Sequence, residues 1–203
     1  MITGPKYKIA RRLGANIYEK TQTAKFALRA ERKGAAGKGS YRPKGEYATA
    51  MLEKQKVRYT YGVLERQFKK YVKESVAKKG VNTVQALFER LETRLDNIVY
   101  RLGMAPTRLA ARQMVSHGHI LVNGKRTNVP SQAISLGDKV SIRPASLKKT
   151  IFKDIDEKLS KVAVPSWLSY DADKKTADVT GMPKHNPSEL LFNLGQVIEF
   201  YSR

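Results

Sequence analysis

The chain has 203 residues, 41% of them apolar, which is enough for one large domain or two small ones with buried cores. Its net charge is +21, from 39 Lys and Arg against 18 Asp and Glu, and such self-repulsion is relieved by a polyanion, nucleic acid ahead of an anionic membrane because phosphate contacts release counterions. The chain has no cysteine, which excludes disulfides and Cys-ligated zinc, and it has no run of about eighteen apolar residues able to span a bilayer.

The charge is unevenly placed. Residues 1–93 carry 22 basic and 8 acidic side chains, residues 94–150 carry 10 and 2, and residues 151–203 carry 7 and 8. A polyanion is therefore expected on the first three quarters of the chain. The start, MITGPKYKIARRLG, has no apolar h-region and no cleavage pattern. That points to the cytosol and leaves a matured organellar protein open.

Residues 1–45 read as a basic N-terminal arm. The piece from Arg32 to Gly45 holds Gly34, Gly37, Gly39 and Pro43, a density that argues for irregular chain. Tyr41 is either a base-stacking ring or a loop tyrosine packed on a neighbour. The Gly-Lys pairs make no phosphate loop, because the glycine required five positions earlier is Arg32. Residues 46–61 read as a helix that Gly62 interrupts. Residues 63–79 put Leu64, Phe68, Tyr71, Val72 and Val76 on one helical face. Arg66, Lys69, Lys70 and Lys73 lie away from that face, as a solvated surface or as an RNA contact. Gly80 is the expected C′ residue. Asn82 caps the next helix, with Gln85 at N3 and Leu87, Phe88 and Leu91 inward.

The centre of the chain is more informative. Leu95, Ile98, Val99 and Leu102 form one helical stripe, and Gly103 stops that helix. Asp96 suits the helix N-terminus, or pairs with a neighbouring arginine. Thr107 caps a second helix with Ala111, Met114 and Val115 inward, and Gly118 stops it. Arg94, Arg101, Arg108 and Arg112 then fall on two consecutive helices as one positive surface, with Ser116 a turn further on. From Ile120 the period becomes 2. Asn123-Gly124 signals a type I′ hairpin, with Lys125 and Arg126 on the return strand. Gly137-Asp138 makes a further turn before Val140 and Ile142. Residues 151–162 read as a helix with Ile151, Ile155, Leu159 and Val162 inward, ended by Pro165. Trp167–Tyr170 and Thr176–Thr180 read as strands, with Trp167 in the core. The ending ELLFNLGQVIEFYSR is apolar, and its Leu190, Leu191, Phe192, Leu194, Val197, Ile198 and Phe200 require burial.

No catalytic constellation is present. His117 and His119 flank Gly118 without a third metal ligand. There is no GxSxG, no thiol and no GxGxxG between a strand and a helix. Neither a metal nor any other cofactor is expected.

The run RLDNIVYRLG, then TRLAARQMVSHGHILVNGKRTNVPS, then LGDKVSI resembles the S-four RNA-binding domain. That module is shared by ribosomal proteins, some aminoacyl-tRNA synthetases, pseudouridine synthases and a heat-shock protein. EKQKVRYTYGVLERQFKKY, from Glu53 to Tyr71, resembles the helical domain of the S-four ribosomal protein family of bacterial type. The GPKYKIARRLG start and the VIEFYSR end fit the same family. The resemblance implies an α+β protein: a helical domain (46–93, completed by 183–203), an inserted S-four domain (94–182) with helices on a small, mainly antiparallel sheet, and the basic arm (1–45).

It implies a non-enzymatic constituent of the small ribosomal subunit, located in the cytoplasm within the ribosome, or in an organellar one. Such a protein is a primary binder of the 5′ domain of 16S-type rRNA and nucleates assembly of the subunit body. Its neighbours would be small-subunit proteins three and five, and mRNA where it enters; no membrane is implied. The expected RNA-binding residues are Arg94, Arg101, Arg108, Arg112, Ser116, Lys125, Arg126, Lys54, Lys56, Arg58, Arg66, Lys69, Lys70, Arg11, Arg12, Lys38, Tyr41 and Arg42. Two departures stand out. The N-terminal cysteine cluster of many relatives is absent, and Ala36-Gly37-Lys38-Gly39-Ser40 replaces the usual Pro-Gly-Gln-His-Gly segment. An RNA-modifying enzyme with an S-four module is the rival reading, but residues 1–93, a basic arm plus helices, leave no catalytic domain; Arg94-Leu-Asp96 also occurs around the catalytic aspartate of one pseudouridine synthase family, where a Thr/Ser-Gly pair follows it, whereas Asn97-Ile98-Val99 follows here. A third reading is a membrane-surface or chaperone-like binder of acidic partners.

Overall fold

The structure is a computed structural model that describes residues 4–35, 45–152, 159, 162–171 and 175–202. In chain order the helices are α1 (Lys6–Leu13), α2 (Ala24–Ala35), α3 (Glu46–Tyr61), α4 (Glu65–Ala77), α5 (Thr83–Glu92), α6 (Leu95–Arg101), α7 (Arg108–Ser116), α8 (Pro144–Leu147) and α9 (Leu194–Ser202). The strands are β1 (Ile120–Val122), β2 (Lys125–Thr127), β3 (Lys139–Ile142), β4 (Leu168–Asp171) and β5 (Thr176–Val179). The class is α+β. Contacts divide the chain into two compact units, Met1–Leu87 with His185–Arg203 and Phe88–Lys184.

The first unit is helical. Its N-terminal part holds α1 and α2, and α2 runs through Arg32 to Ala35, which corrects the start of the stretch expected to be irregular from Arg32 to Gly45. The reason is local packing. Ala10, Leu13, Ile17 and Thr21 are buried, and the Tyr7 ring stacks on Phe26 at 5.7 Å. The glycine-rich piece 36–44, with Lys38, Tyr41 and Arg42, lies outside the described residues.

Helix α3 has the expected bounds, and Gly62 closes it at φ 63°, in the left-handed region. In α4 the buried stripe is Phe68, Tyr71, Val72 and Ser75. Leu64 and Val76 were expected inward and are exposed. Leu64 is the extended N-cap, so helical spacing does not govern it. Ser75 takes the inward place by donating its hydroxyl to the Tyr71 carbonyl at 2.9 Å. Gly80 is not the C′ residue, because α4 ends at Ala77 with Lys78 as its cap. Asn82 caps α5 as expected, its side-chain oxygen accepting from Val84 N at 2.9 Å.

The apolar C-terminal segment docks as α9 on α3 and α4. Leu194 and Val197 are buried, and Phe192 lies edge-on to Tyr61 at 6.2 Å. Leu191 was expected to need burial and is exposed; it precedes α9, where no helical face turns it inward. Charged groups lock the tail. Glu53 accepts from Asn193 N at 2.8 Å. The Tyr201 hydroxyl donates to Glu65 at 2.5 Å, and Lys54 and Arg58 reach the same carboxylate at 3.1 and 2.8 Å. Burial alone would push Glu65 up. The bonds from Tyr201 and Lys54 and the charges of Arg58 and Lys54 outweigh it, and hold the carboxyl below its usual range.

The second unit holds an antiparallel sheet in the order β2-β1-β3-β5-β4. Its hairpin turns at Asn123 and Gly124, with φ 51° and 77°, the positive pair that a type I′ turn requires. Asn123 also bonds β3, its side chain accepting from Lys139 N at 2.8 Å. Leu95, Ile98, Val99 and Leu102 are fully buried. They form one core with Ala111, Met114 and Val115 of α7, Ile120, Val140, Ile142 and Val179 of the sheet, and Trp167 packed against it. Helix was expected from 151 to 162 with Ile151 and Val162 inward. At its start a 3-10 turn, Thr150–Phe152, instead presents Phe152 to the core and leaves Ile151 exposed; Leu159 is helical and buried as expected, and Val162 is exposed. Ile155 lies outside the described residues.

Two outcomes follow for the first unit. Leu194→Ala should destabilise the protein by about 2–5 kcal/mol, whereas the exposed Leu191→Ala should stay within about 0.5 kcal/mol; urea unfolding of the two variants checks this. A depressed carboxyl contributes stability that is present above its unfolded pKa and lost as pH falls through the folded one. Tyr201→Phe should therefore lower the midpoint of thermal unfolding at neutral pH, and the deficit should shrink as pH is taken below the ordinary carboxyl value of 4.5.

Candidate nucleic-acid interface

From Glu92, the last residue of α5, to the end of α7 the chain carries four arginines and two buried carboxylates. Helical spacing in α6 sends Ile98 and Val99 inward and places Asn97 and Arg101 together on a neighbouring flank. Thr107 starts α7 by accepting from Ala110 N at 3.1 Å, which fixes where Arg108 and Arg112 emerge. The start of α6 is clipped by the loop after β2: Leu95 N donates to Gln132 O at 2.9 Å, and Asp96 N to Pro130 O at 3.1 Å.

Arg94 corrects the expectation for this surface. It is fully buried and donates to Asp96 at 2.9 and 2.5 Å, as a two-pronged pair. A guanidinium so enclosed cannot reach a phosphate; it balances the buried Asp96. Arg112 lies at 3.8 Å from the same carboxylate, with its side chain about a quarter exposed. Arg101 grips Glu92 with two bonds of 2.9 Å while its side chain is one-third exposed. Arg108 donates Nε to Asn97 at 2.8 Å and lies over the Tyr100 ring at 4.3 Å from its centre. Three of the four arginines thus reach the surface from fixed anchors, with Ser116 exposed beyond them on α7.

The hairpin adds Lys125 and Arg126, both exposed on β2. The Arg126 guanidinium lies over Gly118, where an added Cβ would meet Nε at 2.2 Å; Gly118 also holds φ 69°. His119 is a buried core histidine that shares a hydrogen bond of 3.0 Å with Ser146. Burial, then the nearby Lys149, His117, Arg126 and Arg143, lowers its pKa. Among the described residues, no group of three His, Cys, Asp or Glu side chains could hold a metal ion.

In the first unit, Arg66, Lys69 and Lys70 are exposed along α4, and Arg11 and Arg12 along α1. Lys54 corrects its expected role: it is buried between Glu65 and the Phe200 ring, whose centre is 4.5 Å from Nζ. Lys56 and Arg58 are held by Glu53 and Glu65, with 18% and 14% of their side chains exposed. Sequence reasoning missed the anchors Glu92 and Asn97. Their signal was polarity at helix positions that the neighbouring apolar residues mark as inward.

The sequence matches two family models, the "Ribosomal protein S4/S9 N-terminal domain" over residues 1–92 and the "S4 domain" over residues 93–140. It is similar to curated proteins named small ribosomal subunit protein uS4. It shares 42% identity with that of Roseiflexus sp. (strain RS-1), across 98% of each chain. It shares 43% with that of Roseiflexus castenholzii, across 98% of each, and 40% with that of Neisseria meningitidis serogroup C, across 98% of each.

The Arg94–Asp96 pair gives a direct test of its structural role. Removing one partner of a buried pair strands the other charge and costs about 3–5 kcal/mol. Arg94→Ala should lose stability on that scale in chemical unfolding, far more than Arg126→Ala on the exposed hairpin.

Proposed function

The chain belongs to the uS4 family of small ribosomal subunit proteins, and from that membership we propose that it is a primary rRNA-binding protein of the subunit. The family is structural, so the chain is not an enzyme. The proposed ligand is a helical junction in the 5′ domain of 16S-type rRNA. The proposed consequence of binding is nucleation of the subunit body, within cytoplasmic ribosomes. There the protein would neighbour small-subunit proteins three and five and the mRNA where it enters.

One observation carries the reading: Arg101, Arg108 and Arg112 emerge together from α6 and α7, inside the region that matches the S4 domain. Guanidinium groups present planar donors suited to phosphate. Folded RNA is bound largely through shape and backbone, so fixed arginines on a rigid helix pair suit it. Lys125 and Arg126 on the hairpin extend this proposed face. Arg66, Lys69, Lys70, Arg11 and Arg12 would supply contacts from the first unit. Among the described residues, no helix is long and apolar enough to cross a membrane.

The test uses a small-subunit rRNA 5′-domain transcript and an equal-length duplex RNA across a salt series. The transcript should bind more tightly than the duplex. Arg108→Ala or Arg112→Ala should weaken binding and reduce the slope of log affinity against log salt by about one. Unchanged slopes in both variants would count against this face.

A further inference from the structure

Behind the arginines of α6 and α7 stand two residues that an RNA on this surface could not touch. Asn97 is 2% exposed and Glu92 is 1% exposed. Asn97 Nδ2 donates to the Glu92 carbonyl at 3.0 Å and to Glu92 Oε2 at 2.8 Å. Both acceptors belong to Glu92, so the amide oxygen must face the other way. There it accepts from Arg108 Nε at 2.8 Å. The flipped amide would set its oxygen against a carboxylate and its NH2 against a guanidinium, so only one orientation satisfies every group. The same Glu92 carboxylate takes Nε and Nη2 of Arg101, each at 2.9 Å. One buried pair therefore grips the Nε edges of two arginines that lie on different helices. The Tyr100 ring under Arg108 supports the plane of that guanidinium.

We propose that Glu92 and Asn97 are positioning residues of the RNA-binding face. They set the guanidinium planes of Arg101 and Arg108 in a fixed relation, so that backbone phosphates of a folded RNA meet forks already oriented. Asn97 acts as an adapter: it extends the hold of the Glu92 carboxylate to Arg108 through a neutral carbonyl. The gain is the ordering that binding no longer has to impose on two long side chains. This inference rests on the reading of α6 and α7 as the RNA face.

The experiment is a double-mutant cycle on the full-length protein, read as affinity for the 5′-domain transcript across a salt series. Asn97→Ser should weaken binding about three- to tenfold and leave the salt slope unchanged, because every charge remains. In the Arg108→Ala background the same substitution should cost nothing further. An equal loss in both backgrounds, or no loss in either, overturns the proposal for Asn97. Glu92→Gln against Arg101→Ala is read by the same affinity criterion, without the slope, because that substitution removes a charge. If circular dichroism shows Asn97→Ser to be unfolded, the Glu92→Gln cycle against Arg101→Ala decides the proposal by the same affinity criterion. If Arg101→Ala and Arg108→Ala themselves leave affinity and slope untouched, the face is misassigned and the positioning role falls with it.

Discussion

A carboxylate buried among arginines is the constraint on which the second unit rests. Asp96 and Glu92 are almost fully enclosed, and an isolated buried charge is among the most costly features a protein can carry. Each is satisfied by arginine and by hydrogen bonds: Asp96 by the two-pronged Arg94, Glu92 by Arg101 and the Asn97 amide. These bonds join the end of α5 to α6, and through Arg108 and Arg112 they reach α7. The apolar core beneath supplies the bulk of the stabilisation. The polar layer is directional, and it fixes how the helices present their outer residues.

The first unit uses the same device at another place. Glu65 gathers Lys54, Arg58 and Tyr201, and Glu53 gathers Lys56 and the start of α9. Lys54 further lies against the rings of Phe200 and Tyr201. A segment more than a hundred residues distant in sequence is thus held to α3 and α4 by apolar burial and by two carboxylates, each shared with cations. In a chain of net charge +21, the few acidic residues in these places decide which basic side chains are structural. The remaining ones, such as Arg66, Lys69 and Lys70 on α4, stay at the surface.

Much of the fold was legible because strong local signals agreed with one another. The Leu95, Ile98, Val99, Leu102 stripe, the Thr107 cap and the Asn123-Gly124 turn each appear as read, since periodicity, capping and turn chemistry are short-range properties. Errors fell where local spacing did not decide the outcome. Leu64 is a cap rather than a helical position. Ile151 lost its inward place to Phe152 through a tighter turn. Arg32 to Ala35 continue α2 where the glycine and proline density of the stretch they open suggested irregular chain. In the candidate site, charge was visible but burial was not. Arg94, Arg101, Arg108 and Arg112 look equivalent as letters, and only the positions of Asp96 and Glu92 separate the enclosed Arg94 from the other three.

That separation also bears on how such a surface meets a polyanion. Arg101 and Arg112 stand beside carboxylates, so part of their charge is already balanced, and Coulomb attraction at a distance is weaker than for bare cations. Arg108 is held by a neutral amide oxygen and an aromatic face. The tethered arginines gain orientation at the expense of field, while Lys125 and Arg126 on the exposed hairpin are better placed to supply long-range attraction. A surface built in this way divides the work. On the RNA face proposed above, exposed cations would raise the encounter rate, and fixed guanidinium planes would reward a phosphate arrangement that matches them, so discrimination would come from the shape of the RNA rather than from the sum of the charge.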